Sequence, residues 1–239
     1  MTDIKQKTAL ITGGSKGIGL GIAHALLEKG AKVAITGRDE KAIEDALKTL
    51  KKVNTAEVIG IKSDVRDRSS LESAVNQIIN TWGKLDVVVA NAGVGHFASI
   101  DEMDEKLWHE TIDINLTGVF NTVRATVEEL KKTRGYIITI SSLAGTNFFA
   151  GGAAYNASKF GLTGFTQAMM LDLRKYGIKV STIMPGSVAT YFNNHTPGRN
   201  DEWKIQIEDL GKVVVDLLEM NPRTLPSKIE IRPSVPPGS

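Results

Sequence analysis

The sequence predicts an α/β fold of one domain: a doubly wound parallel sheet of about seven strands with helices on both faces. Three observations predict it. Short β-branched runs alternate with longer amphipathic stretches along the whole chain. The central runs, such as Val87-Val88-Val89, are apolar at every position, as strands covered on both faces must be. No repeat, low-complexity tract or linker divides the 239 residues.

The first strand is expected at residues 7–12, where a β-branched run ends in glycines, and the first helix at 16–29, closed by Gly30. Strand 32–36 and helix 40–51 follow, then strand 57–61 and helix 69–82, with Gly83 as its stop. The fourth strand, 85–90, leads to one long helix at 107–132; the fifth, 136–141, leads to a second at 153–176, ended by Gly177. Strand 179–184, helix 208–220 and strand 228–231 complete the alternation, and the proline-rich stretch 233–239 is expected to fray. Right-handed crossovers between parallel strands place these helices on both faces, a Rossmann-like arrangement.

Composition narrows the function. At 41% hydrophobic there is ample material for a core, whereas 29 Lys+Arg against 27 Asp+Glu leaves no basic excess for a nucleic-acid partner. The absence of cysteine removes disulfides, thiolate catalysis and Cys-ligated zinc. The histidines His24, His96, His109 and His195 lack metal-ligand spacing, so no metal is expected; His96 alone is a candidate to border a substrate. The first seven residues carry Asp3, Lys5 and Lys7 with no apolar signal core, and no run reaches the ~18 apolar residues of a membrane span. A soluble, cytoplasmic protein is therefore expected.

After the first strand, Thr12-Gly13-Gly14-Ser15-Lys16-Gly17-Ile18-Gly19 opens directly into a helix. Glycines there let the backbone approach a pyrophosphate, whose charge is favoured by the free N–H groups and dipole at the helix start. The spacing is TGxxxGxG rather than GxGxxG. Further on, Tyr155 and Lys159 lie one helical turn apart on one face. A phenol with a pKa of ~10 is a poor acid/base near neutrality, and an ammonium held beside it stabilises the phenolate.

With these motifs the chain resembles the short branch, of roughly 250 residues, of the short-chain dehydrogenases/reductases, over about residues 5–232. The resemblance implies the rest of a site. Asp64-Val65 matches the family's adenine-side pair, and Asn91-Ala92-Gly93 the segment after the fourth strand that supports the sheet there. Ser142, thirteen residues before Tyr155, matches the serine that holds the substrate oxygen; its neighbour Ser141 would point the other way. Asn115 matches the helix asparagine that links the lysine to solvent through a water. Pro185-Gly186, Val188 and Thr190 match the segment that contacts the carboxamide.

The implied activity is hydride transfer between a nicotinamide and a carbonyl or secondary alcohol. NADP(H) is favoured over NAD(H), because Gly37 stands where an acid would bind the NAD ribose, and Arg38 and Lys16 can meet a 2′-phosphate. The alternative is that both are solvated surface cations. Phe97, Phe148 and Phe192 are the candidate substrate contacts, for a small-molecule carbonyl or alcohol. Loosely, the chain is most similar to 3-oxoacyl-(acyl-carrier-protein) reductases, but Tyr176 replaces a basic residue common there and the glycine-rich ending is absent. Reductases of small ketones, diketones or pterin-like carbonyls, and a non-catalytic dinucleotide sensor, stand as alternatives. Family members are usually homotetramers or dimers, so a homo-oligomer is expected.

Overall fold

The computed structural model describes residues 3–54 and 57–236. Seven strands, β1 (Thr8–Thr12), β2 (Lys32–Gly37), β3 (Val58–Lys62), β4 (Val87–Ala90), β5 (Tyr136–Ile140), β6 (Lys179–Pro185) and β7 (Lys228–Ile231), form one sheet in the order 3-2-1-4-5-6-7. Every pairing is parallel. The chain moves outward one way from β1 and then, from β4, the other, so a crevice opens beyond the carboxyl ends of β1 and β4.

Alternate residues of each strand feed opposite cores. Ile11, Val33, Ile35, Val87 and Ile138 pack on α1 (Gly17–Glu28), α2 (Glu40–Leu50) and α7 (Ile207–Glu219). Leu10, Ala34, Val88, Ile137 and Val180 pack on α3 (Arg68–Trp82), α5 (Gly118–Thr133) and α6 (Ala153–Leu173). This is why the strands read as apolar throughout. Helix starts follow local capping: the carboxylates of Asp39, Asp67 and Asp104 accept N–H groups in the first turns of α2, α3 and α4 (Glu105–Ile112). Gly83 and Gly177 take the left-handed cap conformation as expected.

The helix expected over 107–132 needs correction. It begins two residues earlier, behind the Asp104 cap, and is interrupted by a π turn at Asp113–Thr117, where the Gly118 N–H reaches back five residues to the Asp113 carbonyl. Likewise the helix expected over 153–176 tightens into a 3₁₀ turn at Arg174–Tyr176. At the carboxyl end, Pro233–Pro236 follow β7 without regular structure, and the rest of the tail lies outside the described residues, as do Met1 and Thr2. No helix among the described residues is long and apolar enough to cross a membrane.

Helices α1 and α7 pack together at Gly21, where an added Cβ would stand 2.5 Å from the Ile207 carbonyl oxygen. The obstacle is backbone, so Gly21→Ala must push the helices apart. Overpacking of this kind costs about 1–3 kcal/mol, so a fall in Tm of roughly 3–10 °C by thermal denaturation is expected.

Candidate active site

A cleft of about 700 Å³ runs along the carboxyl ends of the strands, and most of the residues singled out from sequence line it. At one end are the β1–α1 turn and the end of β2, with Gly13, Ser15, Lys16, Gly17, Ile18 and Arg38; at the other are Ser142, Tyr155 and Lys159. Asp64, Val65, Asn91, Ala92 and Gly93 line it between, and Pro185, Gly186, Val188 and Thr190 form the wall after β6.

Gly13 (φ +65) and Gly17 (φ +52) hold left-handed conformations in the turn, which L side chains rarely adopt. Gly19 is set back from the cleft: a Cβ there would lie 2.5 Å from the Gly13 carbonyl oxygen, so this glycine lets the helix close on the turn. Unlike α2, α3 and α4, α1 has no side-chain cap, and its first turn holds no acid. Its leading N–H groups are left facing the cleft wall of Lys16, Gly17 and Ile18, a fit for a pyrophosphate.

Asn91 buttresses the turn rather than presenting its amide to a ligand. Its side chain donates to the carbonyl oxygens of Thr12 (2.9 Å) and Gly13 (3.0 Å), and the Asn91 and Ala92 N–H groups donate to the Thr12 hydroxyl. Asp64 is similarly engaged: Arg66 donates to both of its carboxylate oxygens and holds its pKa below the usual value.

An acid does stand near the end of β2. Asp39 lines the cleft, but its Oδ1 accepts from the Lys41 (3.0 Å) and Ala42 (3.3 Å) N–H groups and is spent on capping α2. The Arg38 guanidinium is half exposed and stands 3.9 Å from a Glu110 carboxylate oxygen. His96 is not on the cleft wall; its Nε2 sits 3.2 Å from the other oxygen of Glu110.

At the reacting end, α6 carries Tyr155 and Lys159 in its first two turns, both buried. Lys159 Nζ donates to the Ile140 carbonyl oxygen at 3.0 Å and lies 5.7 Å from the Tyr155 ring centre. Burial disfavours both charged forms: it pulls Lys159 down to about 8 and pushes the Tyr155 phenol up, against a smaller downward pull from a hydrogen bond with Ser142.

Ser141 and Ser142 diverge as expected. Ser141 turns inward to the Lys159 carbonyl and the Thr163 hydroxyl, while Ser142 lies by Tyr155 and accepts the Ala144 N–H. Asn115 sits in the π turn behind the cleft. Its amide exchanges hydrogen bonds with the Val94 backbone (2.8 and 2.9 Å) and donates to Ser158 Oγ at 3.0 Å, clasping the β4 loop to α6.

Of the three phenylalanines, Phe97 and Phe192 reach the cleft, whereas Phe148 is 87% exposed and away from it. Its neighbour Phe149 turns toward Phe97 instead, with ring centres 5.7 Å apart. Sequence reasoning missed His195 and Lys204, which line the cleft and both bind the buried Asp201, at 2.7 and 2.6 Å. The acid's i,i+3 spacing to Lys204 was the available signal.

A parallel sheet of this order, with a glycine turn at its switch point and a cleft joining that turn to a buried tyrosine and lysine, defines a dinucleotide-binding α/β oxidoreductase. Residues 7–200 match the profile of the short chain dehydrogenase family, and the chain belongs to that family. It is 34% identical over 202 residues to a 3-oxoacyl-(acyl-carrier-protein) reductase of Staphylococcus aureus, covering 84% of this chain and 81% of that one. With the trans-4-hydroxycyclohexanecarboxylate dehydrogenase of Sinomonas cyclohexanicum it shares 38% identity over 196 residues, covering 78% and 74%. An alcohol dehydrogenase from the archaeon Thermococcus sibiricus, solved with 5-hydroxy-NADP, superposes with a TM-score of 0.90 at 29% identity, over 96% of this chain and 97% of that chain.

Proposed function

We propose that the chain is an NADP(H)-dependent reductase of carbonyl compounds, or dehydrogenase of the corresponding secondary alcohols, working through Tyr155, Ser142 and Lys159. One observation carries it: a single cleft joins a cationic nucleotide end, Lys16 and Arg38, to a phenol and a hydroxyl that stand side by side near a buried lysine. The NADP-related ligand of the Thermococcus enzyme, and the engagement of Asp39 in a helix cap, favour NADP(H) over NAD(H). The backbone of Pro185 to Thr190, with Val188 and Thr190 foremost, would border the nicotinamide.

The dinucleotide, when bound, supplies or accepts the hydride. Ser142 and Tyr155 hydrogen-bond the substrate oxygen, and Tyr155 gives that oxygen its proton in reduction or takes one in oxidation. Lys159, held as an ammonium near Tyr155, stabilises the phenolate left behind. Asn115 positions Lys159 indirectly, by fixing α6 against the β4 loop. No step needs a metal.

A spectrophotometric panel following NADPH oxidation on acetoacetyl thioesters, ketones and diketones tests the activity; cofactor binding without turnover on any of them would favour a sensing role. The reduction-competent state keeps both protons. Burial holds the phenol protonated, so the first loss on raising pH is from Lys159, at about 8. In the reducing direction kcat/KM is expected to be level below pH 8 and to fall about tenfold per unit above it.

The same reading places the protein in the cytoplasm as a single domain over 1–239 and as a homo-oligomer. Phe120 and Phe160, both exposed, are apolar groups on α5 and α6 that a second copy would cover. Light scattering would distinguish a dimer or tetramer from a monomer.

A further inference from the structure

Resting on the oxidoreductase reading above, we propose that the preferred substrate is a ketone or secondary alcohol whose reacting carbon bears an aromatic ring, and that Phe97, with the Tyr155 ring, selects it as Phe192 gives way. The Tyr155 ring is flanked by two others. Phe97 meets it edge-on at 5.4 Å between centres and Phe192 at 5.6 Å, and these two stand 6.3 Å from each other. Phe149 extends the group, 5.7 Å from Phe97.

These rings come from three separate connections, after β4, β5 and β6, yet their seats are built. A Cβ on Gly95 would fall 2.3 Å from Phe192 Cζ, and one on Gly152 2.8 Å from Phe149 Cε2, so each ring lies where only a glycine leaves room. The Ala98 N–H donates to the Gly151 carbonyl at 2.9 Å and Ala98 pairs with Gly152, which ties Phe97 and Phe149 into one wall. Phe192 is held more lightly, on a short turn next to Asn193 at φ 54, with its N–H 3.3 Å from the Thr190 hydroxyl.

At 6.3 Å between centres, Phe97 and Phe192 leave no slot for a substrate group between them. Approach to the Tyr155 hydroxyl therefore displaces Phe192 and breaks its contacts with Tyr155 and Phe97. An incoming aromatic ring replaces both, edge to face. An alkyl chain fills the volume but restores neither, and it loses rotamer freedom as well.

The test compares kcat/KM for acetophenone and 2-octanone, methyl ketones of equal carbon count, with NADPH as co-substrate. Two ring contacts predict a preference for acetophenone of about tenfold or more. In Phe97→Leu, which keeps apolar bulk, that ratio should fall toward one, whereas Phe192→Leu, which lifts a displacement common to both ketones, should leave it where it is; a ratio within one protein sample is independent of how much of a variant folds. Equal or better use of 2-octanone by the wild type, or a ratio that Phe97→Leu does not move, overturns the proposal while leaving the oxidoreductase reading intact. Failure to oxidise NADPH with either ketone or with an acetoacetyl thioester would instead remove that reading itself.

Discussion

Tyr155→Phe is expected to lower kcat by roughly 10²–10⁴-fold, the range over which a positioned proton donor accelerates a reaction. The substitution removes one oxygen and keeps the ring, so the contacts with Phe97 and Phe192 survive. NADPH affinity, read by fluorescence titration, and Tm should therefore change little while turnover collapses. Tyr155 is buried with its hydroxyl by Ser142, and Lys159 beside it donates to the Ile140 carbonyl. Wild-type turnover in the phenylalanine variant would sink the proposed chemistry.

Arg38→Asp should reverse coenzyme choice. Loss of a charge-assisted bond to a 2′-phosphate costs about 1.5–3 kcal/mol, and a carboxylate in its place adds repulsion, so kcat/KM for NADPH is expected to drop on the order of 10²-fold or more. NADH should be little affected or improved, since the new acid can accept from ribose hydroxyls. Arg38→Lys should fall between, keeping the charge but not the two-pronged geometry. Steady-state kinetics with both coenzymes decide it; an unchanged NADPH-to-NADH ratio would leave Arg38 a solvated cation. The site permits such a change in charge because the native acid alongside, Asp39, already serves the α2 backbone.

The fold was largely legible in the sequence because its signals are local or repetitive. Strand and helix periods differ, continuous apolar strands announce a sheet covered twice, and the TGxxxGxG turn sits where a strand meets a helix. Even the α2 cap was readable, since an aspartate just before a helical run is an N-cap signal that competes with any reading of Asp39 as a ribose ligand. The choice between Phe148 and Phe149 was not: two adjacent aromatics in one loop differ only in which meets Phe97. Nor was the π turn around Asn115, whose amide is drawn to Val94 and Ser158, partners distant in sequence.

By itself the sequence determined the order of elements, the glycine turn, and the pairing of Tyr155 with Lys159 one helical turn apart, because each depends on near neighbours along the chain. Tertiary structure alone decided what those groups are worth. It placed His195 and Lys204 on the cleft through one buried aspartate, and ringed Tyr155 with phenylalanines from separate loops. It also drove the phenol and the ammonium toward their neutral forms. Desolvation is the common reason. The free energy of an ionisable group depends on how much water the whole fold removes from it and which distant dipoles replace that water, and neither is written in its spacing.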